Sequence, residues 1–365
     1  MKPLDGIRVV EASAFIAGPF ATMILADLGA QVIKVEPPRG EAYRRLGEVF
    51  GESSLLFRGV NQNKDGVVLD LKDERGMARL SELLADADIL LTNWRPGVAE
   101  SLGLTEHKIR SEFPGLIWVR VSGYGQTGPK ASQPAYDNVI HAQSGAMLAA
   151  GAEAGLFEAN SNVADKVTAM TAAQTATAAL LARTTADGAG MVCDVSMVDA
   201  NAYFYGADIS TGHRIAGAEP DPFPARTSLG RTVFQTSDGW ITLVPVTGRQ
   251  LRSVLTAIGH LDQWERIKSD GAQLIWPRML ELLEPALLAD SSQHWQQRFT
   301  EADVPVTVVN DFVAHLLDDQ VAHNRTYAEV SDPGTGTFLQ VRYPGLFNGE
   351  PVSIDPKPAP GLTEH

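Results

Sequence analysis

The stretch Ile7-Arg8-Val9-Val10-Glu11-Ala12-Ser13-Ala14-Phe15-Ile16-Ala17-Gly18-Pro19-Phe20-Ala21-Thr22-Met23-Ile24-Leu25-Ala26-Asp27-Leu28-Gly29-Ala30-Gln31-Val32-Ile33-Lys34-Val35-Glu36 decides the fold. Residues 7–11 read as a strand, 19–28 as a helix whose N-terminus follows Gly18, and 31–36 as a second strand. The same alternation continues outward. A strand at 66–70 leads into a helix over 73–84 with leucines at 80, 83 and 84, and further strands fall at 89–92 and 116–121. Apolar strands that alternate with helices predict an α/β fold, a mostly parallel sheet covered by helices.

Further along, residues 163–182 form an Ala/Thr-rich helix with almost no charge after Lys166, followed by a strand at 192–196 and a helix at 197–205. Residues 206–230 carry Gly206, Gly212, Gly217, Pro220, Pro222, Pro224 and Gly230, a density of breakers that marks a linker. A smaller α+β unit follows, with strands within 231–246 around the turn Ser237-Asp238-Gly239 and helices near 248–259, 275–288 and 292–301. The expected organisation is a large domain over 1–205, a linker over 206–230, a small domain over 231–316, and a return linker with a C-terminal segment over 317–365. The Pro-rich tail from Pro351 is expected to lie extended on the surface.

The chain has 365 residues and a formal net charge of −14. Residues 1–130 hold 16 basic and 17 acidic side chains, and the remainder holds 14 and 27. The acidic whole argues against nucleic acid or an anionic membrane as partner, while the near-neutral first third leaves room for a local anion site. Cys193 is the only cysteine, which excludes an internal disulfide and a cysteine metal cluster; beside Met191 and Val192 it reads as an inert buried thiol. The N-terminus lacks a signal-peptide core, and no apolar run is long enough to span a membrane, so a cytoplasmic enzyme is expected.

Candidate chemistry gathers in the loops that follow strands, where open parallel sheets bind ligands. Ala14-Phe15-Ile16-Ala17-Gly18-Pro19 joins a strand to a helix N-terminus, a place that favours phosphate. Glu36 lies 18 residues beyond Gly18, as in a dinucleotide site, but the three-glycine fingerprint is missing and Pro19 removes an amide. Arg39, Arg44 and Arg45 are either phosphate ligands or a solvated patch. Asn93-Trp94-Arg95-Pro96-Gly97 follows another strand, and Ser122-Gly123-Tyr124-Gly125-Gln126-Thr127-Gly128-Pro129 is a glycine-rich loop able to close over a ligand. Asp137 reads as the cap of the helix that starts nearby. Asp165, where the Ala/Thr-rich helix begins, is either an N-cap or a carboxylate nucleophile held by helix amides, and spacing does not separate the two.

Taken in order, these segments resemble the class III CoA-transferases, the group of formyl-CoA and carnitine CoA-transferases and α-methylacyl-CoA racemases. The resemblance runs nearly end to end. It rests on residues 4–11, Ala17-Gly18-Pro19, 27–38, Asn63-Lys64, Leu69-Asp70-Leu71-Lys72, 93–97, 122–129, Pro134-Ala135-Tyr136-Asp137, Ser144-Gly145, 194–200, Asp238-Gly239-Trp240 and 359–365. It implies a Rossmann-like doubly wound CoA-binding domain with a smaller α+β domain, in an interlinked homodimer whose active site lies near the interface.

The family's catalytic aspartate matches Asp165, which implies an aspartyl anhydride, then an aspartyl-CoA thioester, and exchange of CoA between a CoA thioester and a free acid. CoA enters as substrate, and no metal or permanently bound cofactor is required. The resemblance puts CoA contacts at Phe15, Ile16, Ala17, Arg39, Leu69, Lys72, Asn93, Arg95 and Tyr136. Two basic family positions fall on Ser101 and Pro134 here, and Ser228-Leu229-Gly230 stands in the region of the family's mobile glycine run. The racemase branch has a histidine where this chain has Tyr136, and His141 reads as a satisfied helix histidine. Alternatives are an α-methylacyl-CoA epimerase, a non-catalytic CoA-binding subunit and a nicotinamide dehydrogenase.

Overall fold

A computed structural model describes residues 1–151, 161–207, 216–217, 231–332 and 336–362. The chain separates into two compact units, Met1–Phe223 with His323–His365, and Pro224–Ala322. Most of the expected 206–230 linker, including Ser228-Leu229-Gly230, lies outside the described residues.

The first unit is mixed α/β around a six-stranded parallel sheet. Its strands are β1 (Arg8–Ala12), β2 (Gln31–Glu36), β3 (Asp65–Val68), β4 (Ile89–Thr92), β5 (Ile117–Ser122) and β6 (Val192–Ser196), in the order β3-β2-β1-β4-β5-β6. The order reverses direction between β1 and β4, which leaves a crevice beyond their carboxyl ends. Alternate side chains feed two cores. Val9, Leu91 and Val119 pack on one face with helices α1 (Ala17–Asp27) and α8 (Val163–Thr185), and Val10, Leu90 and Trp118 pack on the other with α3 (Glu74–Ala85). Between α3 and α8 run α4 (Val98–Ser101), α5 (Glu106–Glu112), α6 (Asp137–Gln143) and α7 (Ala146–Gly151), with α2 (Leu55–Asn61) earlier and α9 (Met197–Tyr205) after β6.

The Ala/Thr composition of α8 now has a physical reason. Ala164, Ala169, Ala172, Ala176 and Ala179 are buried at spacings of three to five residues and let α8 lie close along α1, itself lined by Ala17, Gly18 and Ala21. No described helix is long and apolar enough to cross a membrane.

Beneath this apolar packing lies a buried ionic cluster. Glu11 on β1 takes Lys34 of β2 at 2.8 Å and Ser13 at 2.8 Å on one oxygen, and Lys64 at 2.8 Å and Thr22 of α1 at 2.6 Å on the other. Burial works to raise the Glu11 carboxyl, but the two lysines hold it down to about 2, and burial depresses Lys64 to about 8. Lys34 also pairs with Glu41 at 2.8 Å.

Arg44 is neither a phosphate ligand nor part of a solvated patch. It is buried, forms a bidentate pair with Glu36 at 2.7 and 2.6 Å, donates to the Pro360 carbonyl at 2.8 Å and lies 3.9 Å over the Phe57 ring. Glu36 is thereby engaged and does not serve as a ribose ligand. The C-terminal segment is fastened here too, with Lys357 N donating to Asn63 Oδ1 at 2.7 Å.

The second unit is an antiparallel three-stranded sheet, Val233–Gln235, Trp240–Leu243 and Val306–Val308, with helices Gly248–Ala257, Trp264–Ser269, Ile275–Leu287 and Ser292–Glu301. Its own core includes Phe234, Ile241, Trp276, Leu283, Trp295 and Phe299. The sequence reading identified three of these helices and missed Trp264–Ser269, which is too short for an apolar period to register.

The buried cluster makes a test. Glu11→Ala leaves Lys34 and Lys64 buried against reduced countercharge and is expected to cost about 3–5 kcal/mol in chemical denaturation. A cost under ~1 kcal/mol would show that the cluster contributes little.

Candidate active site

The β1–α1 loop forms one wall of the crevice at the sheet's reversal. Phe15 sits in the left-handed backbone region at φ 64°, a strained conformation for a non-glycine residue. It is held there from both sides. Glu41 Oε2 accepts the Phe15 N–H at 2.7 Å, and Asn93 at the end of β4 exchanges two hydrogen bonds with Ala14, at 3.0 and 2.7 Å. Gly18 permits the fit, because a Cβ there would lie 2.4 Å from Ser13 Oγ.

Beyond these loops lies a cavity of about 260 Å³, lined among others by Phe15, Ala17, Asn93, Arg95, Ser122, Gly123, Tyr136, Asp165 and Met197. Phe15 contacts both Tyr43 and Tyr136, with ring centroids 6.0 and 5.3 Å away. The structure therefore brings together six of the expected site residues: Phe15, Ala17, Asn93, Arg95, Tyr136 and Asp165. Four others lie outside the lining. Ile16 is buried against Tyr43 and Phe57, Leu69 packs in the core with Val10 and Leu80, and Arg39 and Lys72 are exposed.

Asp165 is not the cap of α8. Asn162 precedes the helix, and Asp165 occupies its third position with its side chain in the cavity. Among the described residues no donor reaches its carboxylate. Its N–H is taken at 2.9 Å by Asp137 Oδ1, so Asp137 caps α8 from outside rather than its own helix α6, where it is the first residue. Burial first, and the Asp137 charge second, push the Asp165 carboxyl up to about 7. Tyr43, nearby, is pushed up to about 12 by burial and by the charges of Asp165 and Glu41. A half-buried carboxyl raised this far is ionised only in part near neutrality, and it faces the cavity. That combination suits covalent chemistry at a carboxylate better than structural capping.

Sequence reasoning missed Glu41, Tyr43 and Met197. Glu41 and Tyr43 belong to the short helical turn around Ala42–Arg45, and only tertiary folding brings them to Phe15 and Asp165. His141 is buried on α6 and stacks on Tyr205 with ring centroids 6.0 Å apart.

With this geometry in hand, comparison with known proteins is specific. CoA-transferase family III matches residues 4–365, and the chain belongs to that family. It is an enzyme of the CoA-transferase class. It is 32% identical over 323 residues to the acetyl-CoA:oxalate CoA-transferase of Acetobacter aceti, covering 83% of this chain and 80% of that one. It is 28% identical to the human succinyl-CoA:glutarate CoA-transferase, over 100% of this chain and 84% of that one. The crystal structure of Rv3272 from Mycobacterium tuberculosis superposes with a TM-score of 0.83 at 28% identity, covering 99% of this chain and 97% of that one.

The raised Asp165 carboxyl has a consequence for stability. Its proton is held more tightly in the folded chain than in the unfolded one, so its contribution to stability falls as pH rises from about 4 to about 7. Asp165→Asn is expected to raise the melting temperature at pH 8, with a gain that vanishes towards pH 4. Thermal melts across that range check it; an equal or lower melting temperature at pH 8 contradicts it.

Proposed function

We propose that this chain transfers CoA between an acyl-CoA thioester and a free carboxylic acid, with Asp165 as the covalent relay. The observation that carries the reading is the Asp165 carboxylate: half-buried, without a hydrogen-bond donor among the described residues, raised to about 7, and open to the crevice.

The chemistry balances as follows. An Asp165 oxygen attacks the thioester carbonyl, the carbon–sulfur bond breaks, and an acyl-aspartyl anhydride and a CoA thiolate form. The thiolate attacks the aspartyl carbonyl, which leaves aspartyl-CoA and releases the donor acid with one Asp165 oxygen. An acceptor carboxylate attacks aspartyl-CoA to give a new anhydride, and the thiolate takes its acyl group. A carboxylate is a weak nucleophile, but well-oriented groups reach effective molarities of about 10⁵ M or more.

The β1–α1 loop would carry the pantetheine across Phe15 and Ala17, with Asn93 fixing that loop through Ala14. Arg95, exposed at the cavity, would attract phosphate, joined by Arg39 and Lys72 as the CoA chain leaves the crevice. Ile16 and Leu69 would act by packing beneath the loops and through their backbone. The Rossmann-like large domain, the interlinked homodimer and the cytoplasmic setting belong to the same proposal. Tyr136 supplies no imidazole for α-carbon epimerisation, which favours transfer over racemisation.

The relatives named for acetyl-CoA with oxalate and for succinyl-CoA with glutarate, together with the succinyl-CoA–L-malate CoA-transferase alpha subunit of Chloroflexus aurantiacus, 27% identical over 92% of this chain, suggest short acyl donors and small dicarboxylate acceptors. The test is a panel of acetyl-CoA and succinyl-CoA against oxalate, glutarate, malate and monocarboxylic acids, read by mass of new thioesters. Wild type is expected to form at least one new thioester and Asp165→Ala to lose at least 10³-fold of that rate, on the order expected when a covalent nucleophile is removed. Full activity in the variant would refute the relay.

A further inference from the structure

Polar groups at the carboxyl edge of the sheet are almost all occupied. At the end of β1, Ser13 Oγ donates to Glu11 Oε1 at 2.8 Å. At the end of β2, Glu36 is taken by Arg44, and at the end of β4 Thr92 Oγ1 accepts from Trp118 Nε1 at 3.1 Å. Asn93 is engaged with Ala14 on both its oxygen and its nitrogen. At the end of β6, Ser196 Oγ accepts the Asp199 N–H and caps α9.

Ser122, the last residue of β5, is different. It lies directly opposite Ser196 in the sheet register, yet its hydroxyl has no hydrogen-bond partner among the described residues. The residue is 6% exposed, and it lines the same cavity as Asp165. Leaving a buried hydroxyl unpaired destabilises a fold, so a protein that retains one at a ligand cavity has a use for it in the ligand-bound state. A hydroxyl on a strand end is also well placed for orientation, since its backbone is held in register with β6.

We infer that Ser122 is a substrate-binding residue whose hydroxyl donates a hydrogen bond to an oxygen of the carboxylate or acyl group that reacts at Asp165. The bond satisfies the unpaired hydroxyl and orients the acid towards the relay. A carboxylate and a thioester carbonyl both accept such a bond, and sharing the cavity with Asp165 puts the hydroxyl on the side of the acyl group rather than along the pantetheine. Ser122 thus helps decide which acids react productively. The inference rests on the transferase reading and names the acyl-binding group of that site.

The test compares wild type, Ser122→Ala, Ser122→Cys and Asp165→Asn in the active donor–acid pair from the panel of acetyl- and succinyl-CoA with oxalate, glutarate and malate. Ser122→Ala is expected to lose about 10- to 100-fold in kcat/KM for the acid, without a fall in melting temperature, because it removes an unpaired polar atom and no contact. Ser122→Cys keeps nearly the same volume but donates poorly, and is expected to follow Ala. Acid kinetics within two-fold of wild type in Ser122→Ala would overturn the inference. So would a loss of activity that tracks a lower melting temperature, or wild-type kinetics in the Cys variant, since either makes Ser122 a packing residue. If Ser122→Ala fails to fold, the Cys variant decides between the same outcomes. Asp165→Asn separates the two levels: an inactive Asp165→Asn with unaffected Ser122 variants refutes only the role of Ser122. Activity in Asp165→Asn refutes the Asp165 relay on which the inference rests, and no turnover by wild type on any pair refutes the proposed exchange.

Discussion

Everything at the site depends on one buried carboxylate, Glu11. Its two oxygens gather Lys34, Lys64, Ser13 and Thr22, and so join β1, β2, α1 and the segment before β3 at a single point. Lys34 passes the constraint on to Glu41, and Glu41 holds the Phe15 N–H. A loop that carries a phenylalanine at positive φ stores strain of about 1–3 kcal/mol and persists only where its surroundings over-determine it. Here the surroundings are Glu41 on one side and Asn93 on the other. The ionic cluster is costly to bury, but it places the rim of the crevice in one conformation before any ligand arrives.

The fold was legible because its signals are local. Apolar runs of four to six residues separated by amphipathic segments require only the strand and helix periods, and the Ala/Thr run gave the position of α8 to within a few residues. Family motifs added Asp165 and the loops around Phe15, Asn93 and Tyr136, all of which reach one cavity. What stayed hidden was the pairing of charges. Arg39, Arg44 and Arg45 look alike in sequence, yet Arg44 turns inward because Glu36 waits eight residues upstream on a buried strand end. Asp137 begins one helix and caps another 28 residues later, a contact for which no spacing rule exists.

The site also sets stability against function. Among the described residues neither the Asp165 carboxylate nor the Ser122 hydroxyl of the crevice has a hydrogen-bond partner, while the Ser196 hydroxyl nearby is engaged. Burial and Asp137 keep the Asp165 carboxyl near neutrality, where it is basic enough to attack and still ionised in part. The helix amides around it favour the charge without neutralising it. A carboxylate fully satisfied by an arginine, as Glu36 is, would be more stable and less reactive.

The most direct measurement follows oxygen rather than rate. In the relay, one oxygen of Asp165 leaves with the donor acid and is replaced by one from the acceptor. Turnover with an acceptor acid labelled with ¹⁸O in both carboxylate oxygens, in unlabelled water, should therefore leave ¹⁸O in the peptide that contains Asp165, detected by mass spectrometry after digestion. An Asp165 peptide that stays unlabelled through many turnovers, while the ¹⁸O given up by each acceptor appears in the released donor acid, would contradict the account.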